Sequence, residues 1–284
     1  MKVSGVTIVR DAVRLDFPIV EAVQSVLPLV DEMVVNVGRS ADGTLQLLCE
    51  TLTHPKVQIV EREWGDNRDG RVLAIETQAA FDLVQGDWVV YVQADEVLHE
   101  SGVPALRSAM QECLEDRKVE GLLVNFTHHY GTPELVATAR TWYRRETRVI
   151  RSGIGAESFE HAQGFRVEGG RRRIRARKTD AVFHHYGWAR PAAALLEKRI
   201  VDAQIYGRTS RFSGQTVLPW QYGVRPFSGT HPAGMEQWMR SRQGTFAKVG
   251  PRRWNLEQGR LFVSDIIEKT IGTRLWEYRN YVVT

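Results

Sequence analysis

Cysteine is nearly missing from this 284-residue chain, which holds only Cys49 and Cys113. They lie far apart, with no CxxC or Cys/His spacing. A disulfide scaffold and a zinc finger are therefore not expected, and a reducing compartment is. Long apolar runs are missing too. No stretch approaches the roughly 20 residues that a membrane-spanning helix needs. The opening MKVSGVTIVR reads as a strand and lacks the apolar length of a signal peptide. The expectation is a cytoplasmic protein, with peripheral attachment at the inner membrane face left open. Charge of one sign is also scarce: 38 Lys and Arg oppose 34 Asp and Glu, for a net charge of +4. That gives no global case for nucleic acid. The basic excess is local, in RRRIRARK (Arg171 to Lys178). There is no internal repeat and no low-complexity tract. What is present is ordinary for a globular enzyme: 43% hydrophobic and 25% charged residues, enough for a sizeable core.

The first half alternates strands and helices. VSGVTIVR reads as a strand. PIVEAVQSVLPLV carries apolar residues at Ile19, Val20, Val23, Val26, Leu27 and Val30, a helical stripe with Asp16 as its expected cap and Pro18 in its first turn. EMVVNV, VQIVE and DWVVYVQ read as further strands. LQLLCETL and GRVLAIETQAAFDLVQG read as helices, the second closed by Gly86. This grammar predicts βαβ units, hence an α/β fold with a mainly parallel sheet flanked by helices. A helix is expected from Ser101 to Lys118. After it VEGLLVNFTHHY, ATARTWYRRETRVIR, RRRIRARK and DAVFHHYG read as strands in mixed order. RPAAALLEKRIVDAQIYG is a helix, 208–232 a loop, and Met235 to Gln243 and Leu256 to Ile271 two short helices. The expected organisation is a catalytic domain over 1–207, with its nucleotide-binding half in 1–100 and acceptor half in 101–207. A loop and helical extension over 208–284 follows.

In open α/β sheets, ligands bind beyond the carboxyl ends of parallel strands. Three polar clusters land there: RDAVRLD after the first strand, NVGRSADGT after the second and QADE after the fourth. A buried strand has no packing reason to end in Asp95 and Glu96. Such carboxylates must meet water, a cation or a ligand.

On these residues the chain resembles the family 2 glycosyltransferases of the GT-A fold, bacterial type. VDEMVVNVGRSADGT is similar to the family's acid followed by Ser-x-Asp-Gly-Thr. GDWVVYVQADE is similar to its strand ending in DADE, here a QADE variant of the DxD motif. FHHYGWARP is similar to HYGW-x-R of some bacterial members. The resemblance covers roughly Val3 to Gly207. Two positions depart from it: Asn36 replaces an acid, and Gln93 replaces the first Asp of the DxD motif.

The resemblance implies a GT-A-like, Rossmann-like sheet and transfer of a sugar from a UDP-, GDP- or dTDP-sugar to an acceptor hydroxyl, with inversion. The acceptor class, whether glycan, lipid-linked or small molecule, is not read, and a homodimer stays open. Carried over residue by residue, Val9, Arg10, Asp11, Asn36, Gly38, Ser40, Asp42, Arg71, Gln93, Ala94 and Asp95 are expected at the nucleotide-sugar. Asp95 and His185 are expected to hold a divalent metal, Mn²⁺ or Mg²⁺, with Gln93 and Glu96 nearby. Neighbours on a strand face opposite ways, so at most one member of His128–His129 and one of His184–His185 faces the site. An inverting transferase needs a base for the acceptor hydroxyl. Glu160 and Glu157 are the candidates, then His161 and Asp180. The face of Arg171, Arg173, Arg175 and Arg177 reads as a solvated edge or a phosphate clamp, not a nucleic-acid surface. WNLEQGRLF and TRLWEYRNYVV offer an acceptor or membrane-surface contact, or a packed tail. Two other classes stand as alternatives: a metal-dependent hydrolase, and a non-catalytic nucleotide-sugar-binding protein.

Overall fold

The computed structural model describes residues 1–65, 70–207, 216–272, 274, 277 and 279–284. The start of the expected 208–232 loop, and Thr273, Leu275, Trp276 and Tyr278 of the tail, lie outside them. The first 91 residues hold β1 (Val3–Val9), α1 (Ile19–Val26), β2 (Glu32–Gly38), α2 (Thr44–Thr51), β3 (Val57–Arg62), α3 (Arg71–Phe81) and β4 (Trp88–Tyr91). Then come β5 (Glu96–Leu98), α4 (Gly102–Glu112), β6 (Gly121–Tyr130), β7 (Thr132–Ala137), β8 (Arg145–Arg151), β9 (Glu157–Phe159), β10 (Gly164–Val167), β11 (Arg172–Trp188) and α5 (Ala192–Ile205). The remainder holds β12 (Val217–Leu218), β13 (Val224–Pro226), α6 (Met235–Ser241), β14 (Lys248–Val249), α7 (Leu256–Ile271) and β15 (Tyr281–Val283).

One large mixed sheet runs β3-β2-β1-β4-β8-β6-β11-β10-β9. The strands β1 to β4 are mutually parallel. β8 lies antiparallel between β4 and β6, and β11 is parallel to β6. Alternate residues of the parallel strands feed two cores, as the period of two requires. Val3, Val9, Met33, Val35, Trp88 and Val90 pack under α1, α2 and α4. Val6, Ile8, Val34, Val89 and Tyr91 pack with Ala80 of α3 and Phe165 and Val167 of β10. No described helix is long and apolar enough to cross a membrane.

The chain after residue 207 returns to this sheet twice: β13 pairs with β7, and β15 runs parallel to β11.

Several elements differ from expectation for identifiable reasons. Asp16 does not cap α1: it has φ 52° and gives its carboxylate to Arg242, with Arg242 Nε donating at 2.7 Å. The helix α3 stops at Phe81, five residues before Gly86. Gly86 instead packs so tightly on β1 that a Cβ there would lie 2.6 Å from Ser4 Oγ. The helix α4 stops at Glu112, because the buried Arg151 guanidinium takes the carbonyls that follow. It donates to Leu114 O at 2.9 Å and Val119 O at 2.8 Å. ATARTWYRRETRVIR is not one strand: Thr138 to Arg144 leave the sheet, and Arg274 donates to Trp142 O at 2.8 Å and Thr138 O at 3.2 Å. RRRIRARK and DAVFHHYG are not two strands but one, β11, with a register shift between Lys178 and Val182. Asn125 Nδ2 meets the carbonyls freed there, Thr179 O at 3.0 Å and Ala181 O at 3.3 Å. Two of the four arginines of the basic face, Arg175 and Arg177, are paired with carboxylates within the protein. Arg172 and Arg175 both donate to Glu120, and Arg177 donates to Glu112.

The most buried ion pair joins β5 to β8. Arg148 donates to both Glu96 oxygens, at 2.8 and 2.7 Å, and both side chains are 0% exposed. Removing one partner of such a pair strands the other charge, which costs about 3–5 kcal/mol. Arg148→Ala should therefore lower unfolding stability in urea by about that amount. The paired replacement Glu96→Leu/Arg148→Met should recover most of it. A loss under about 1 kcal/mol for Arg148→Ala would mean that water reaches the pair.

Candidate active site

The carboxyl ends of β1 and β4 lie side by side, with Val92 N donating to Val6 O at 3.1 Å. Beyond them Arg10–Asp11 and Gln93–Asp95 line one cavity of about 360 Å³. The chain then reverses into β5, which pairs antiparallel with β11 in the register His185 to Glu96. Tyr186 N donates to Asp95 O at 2.8 Å, so Asp95 is delivered to His185 and Gly187.

Asp95 is only 6% exposed. Its Oδ2 accepts from Arg190 at 3.3 Å and lies 3.7 Å from His185 Nε2. Burial alone would raise the Asp95 carboxyl. His185, Lys198 and Arg190 beside it outweigh that and hold the carboxyl well below the ordinary value. Glycine at 187 keeps the space between the two donors open. A Cβ there would sit 2.4 Å from His185 Nε2 and 2.8 Å from Asp95 Oδ2.

Hydrogen bonding assigns the histidine tautomers. His128 Nε2 faces the Tyr143 carbonyl at 2.7 Å and must donate to it. Burial, with His185 beside it, lowers the His128 pKa to about 3, so the ring is neutral and its Nδ1 is a bare acceptor. His185 Nδ1 lies 3.1 Å from that nitrogen and therefore donates. In a neutral His185 this leaves Nε2 as a lone pair aimed toward Asp95. Two acceptors facing each other call for a cation between them, either a proton on Nε2 or a metal ion. A carboxylate oxygen and an oriented imidazole nitrogen suit a divalent ion, and the His128 bond fixes the ring as an outer-shell partner does.

The other expected residues divide. Val9, Arg10, Asp11, Gln93, Ala94, Asp95 and His185 line the cavity. Asn36 does not: it is fully buried, donates to the Glu76 carbonyl at 2.8 Å, and accepts from Trp64 Nε1 at 3.3 Å. Gly38 lies against the same indole, where a Cβ would come within 2.7 Å of the ring. Both hold Trp64, and Trp64 lines the cavity. Ser40 and Asp42 face the β1–α1 loop. Asp42 accepts from Ser40 Oγ at 2.8 Å, Thr44 Oγ1 at 2.6 Å and Arg14 N at 2.9 Å, while Ala12 N donates to Thr44 Oγ1 at 2.7 Å. Arg71 opens α3 and is outside the lining. Glu96 is committed to Arg148 and is not free for a metal. Gln93 donates from Nε2 to Ala162 O at 2.9 Å. Glu157 and Glu160 are exposed and line no part of the cavity, whereas His161 does. His161 packs on Tyr206 with ring centroids 4.5 Å apart, and its Nδ1 is buried without a hydrogen-bond partner. Asp180 is exposed on β11.

One wall escaped the sequence reading. Lys198, Val201, Asp202 and Ile205 of α5 face the cavity. Their i, i+3, i+4 spacing is legible in the sequence, but a polar pair on such a stripe reads as surface. Lys198 Nζ lies 3.4 Å from Asp202. A second cleft, of about 1120 Å³, shares Tyr143, Gln163 and His185 with the first and is lined by His128, Trp142, Trp188 and Trp220.

No family model matches the chain, and none of the curated proteins matches it at a significant level. Solved structures do. S. aureus TarS 1–349 is 14% identical over 72% of this chain and 64% of that one, with a TM-score of 0.40. The same protein in complex with UDP-GlcNAc is 20% identical over 46% of this chain and 36% of that one, TM-score 0.36. Glucosyl-3-phosphoglycerate synthase from Mycobacterium tuberculosis, in complex with Mn²⁺, UDP and glucosyl-3-phosphoglycerate, is 22% identical over 46% of this chain and 45% of that one, TM-score 0.32.

The burial of Asp95 beside Arg190 gives this carboxylate a structural role as well. Its removal strands Arg190, which is 0% exposed and whose other strong bond is to Leu15 O at 2.6 Å. Asp95→Ala should cost about 3–5 kcal/mol of stability, and Asp95→Asn less, since the amide oxygen still accepts. Because the folded pKa lies below the ordinary value of about 3.9, the carboxylate's contribution is complete above that pH and drains away as pH falls below it. Urea melts of both variants from pH 7 down to pH 3 check this. Equal stability of Asp95→Ala and the parent chain at pH 7 would contradict it.

Proposed function

We propose that this chain is a glycosyltransferase that moves a sugar, with inversion, from a nucleotide-sugar to an acceptor hydroxyl. The observation that carries the reading is the Asp95 Oδ2 and His185 Nε2 pair, 3.7 Å apart at the carboxyl end of the parallel strands, with the Gly187 gap beside it. The donor is placed in the cavity of about 360 Å³, its base against Trp64 and its diphosphate toward Asp95. Departure of a nucleoside diphosphate builds negative charge, and the sugar carbon becomes oxocarbenium-like. Lys198 and Arg10, both on the cavity wall, stand ready to meet that charge. A divalent ion held by Asp95 and His185 would offset the same charge as a Lewis acid. Gln93 supplies a neutral amide where the resemblance has a carboxylate.

The acceptor is placed in the adjoining cleft, which meets the cavity at Tyr143, Gln163 and His185. Flat faces of Trp142, Trp188 and Trp220 suit the apolar faces of a sugar, which favours a glycan among the acceptor classes. The acceptor proton needs a base at this junction. We assign it to the 157–161 hairpin. His161 is the member of that hairpin on the cavity wall, with Glu160 next to it and Glu157 further out.

Two measurements test the proposal. With UDP, GDP or dTDP and Mn²⁺ at 100 times the dissociation constant, the native state should gain about 2.7 kcal/mol, read as a raised melting temperature. Gly187→Ala, which fills the gap without removing a donor, should abolish the Mn²⁺-dependent part of that gain. No shift with any nucleotide, with or without metal, would sink the reading; phosphoesterase activity in its place would point to the hydrolase. For the base, His161→Gln, Glu160→Gln and Glu157→Gln are compared in turn. The base variant should lose about 10²–10⁴ in kcat while the nucleotide-induced shift stays unchanged. Full turnover by all three would place the base outside the hairpin.

A further inference from the structure

The histidine pairs leave a second cluster on the other face of the same strands. His128 and His185 point into the candidate active site, so His129 of β6 and His184 of β11 point away from it. There they meet His231, from the segment between β13 and α6. One ligating nitrogen from each of these three rings lies within 4.8 Å of the other two. His129 and His184 are 0% and 3% exposed, and His231 is partly buried.

The geometry points to a transition-metal site of the zinc class formed by His129, His184 and His231, separate from the divalent site at Asp95.

Orientation supports it first. His129 Nδ1 lies 2.7 Å from the Pro133 carbonyl and must donate to it, so Nε2 is the bare nitrogen and faces the cluster. A backbone carbonyl on the far nitrogen is how proteins fix the tautomer of a metal-binding histidine. His129 Nε2 and His184 Nδ1 are 3.0 Å apart, close to the spacing of two ligands on one small ion. Without the ion, the His184 Nδ1 proton bridges them; with it, that proton moves to His184 Nε2. Tyr186 adds an oxygen beside the set, its hydroxyl 2.9 Å from His231 Nδ1. Rigidity comes second. The Tyr186 ring stacks on His129 at 4.5 Å with planes 9° apart, and Phe227 stands edge-on to both His129 and His184 at 5.0 and 5.7 Å. Donor chemistry comes third. Three imidazoles and a phenol, with no carboxylate among them, suit Zn²⁺ over Mg²⁺, Ca²⁺ or Mn²⁺, which take oxygen ligands. The ion would pin the 227–235 segment to the two central strands. Its work is structural, in a stretch that forms no strand of its own.

The experiment uses the full, tag-free chain, stripped with EDTA and desalted, then loaded with Zn²⁺ or Co²⁺ alone. Metal content is read by mass spectrometry, and Co²⁺ geometry by its visible absorption. Asp95→Asn serves as the background, because it disables the other site. That variant should keep one zinc per chain and show the intense bands of low-coordinate cobalt. His231→Ala added to it should lose the bands and weaken zinc binding beyond the 10–100-fold that an outer-shell change costs, roughly a hundredfold or more. Should the alanine variant fail to fold by circular dichroism, His231→Phe fills the ring's place and takes the same test. No zinc retained by Asp95→Asn would overturn the proposal. Zinc retained equally by the folded His231 variant would overturn it as well.

Discussion

The guanidinium of Arg148 donates to both oxygens of Glu96 where no solvent reaches either group. Its remaining donors go to the carbonyls of Gln163, at 2.8 Å, and Thr147, and its plane lies over the rings of Tyr91 and Phe126 at 5.4 and 5.0 Å. One side chain therefore ties together β4, β5, β6, β8 and the hairpin that carries His161. The pair adds little net stability, because desolvating two charges offsets their attraction. Its value is positional. With Glu96 fixed, the β5 register on β11 is fixed. With that register, Asp95 must face His185 across Gly187.

The two histidine pairs show the same economy. Strand alternation sends His128 and His185 to one face and His129 and His184 to the other. On each face the outer nitrogen of one ring is fixed by a backbone carbonyl, Tyr143 O on one side and Pro133 O on the other. That single hydrogen bond propagates through the neighbouring ring and decides which nitrogen is left bare.

The alternation of strands and helices to residue 100 was legible because apolar periodicity is a local property. The helices after residue 207 were legible for the same reason: α7 spans Leu256–Ile271 as read. Asp95 announced itself as a carboxylate without a packing reason. Less legible was anything decided by a distant partner. Nothing local tells that Arg242 claims Asp16, that Arg151 stops α4, or that Asn36 and Gly38 hold Trp64 instead of lining the cavity. Glu96 sits one residue from Asp95 and looks equally available, but Arg148, 52 residues on, takes both of its oxygens. Lys198 and Asp202 carried the right helical spacing, yet only the folded chain turns that stripe toward β1 and β4.

The central claim is that Asp95 and His185 form one cation site, with His185 Nε2 unprotonated. A crystal structure grown with Mn²⁺ and a nucleoside diphosphate tests it most directly, through anomalous scattering at the manganese edge. The account predicts a single strong peak at about 2.1 Å, the range for small hard cations, from both Asp95 Oδ2 and His185 Nε2, with the His185 Nδ1 to His128 Nδ1 bond kept. A peak elsewhere in the cavity, or none there with His185 Nε2 hydrogen-bonded directly to Asp95, would contradict it.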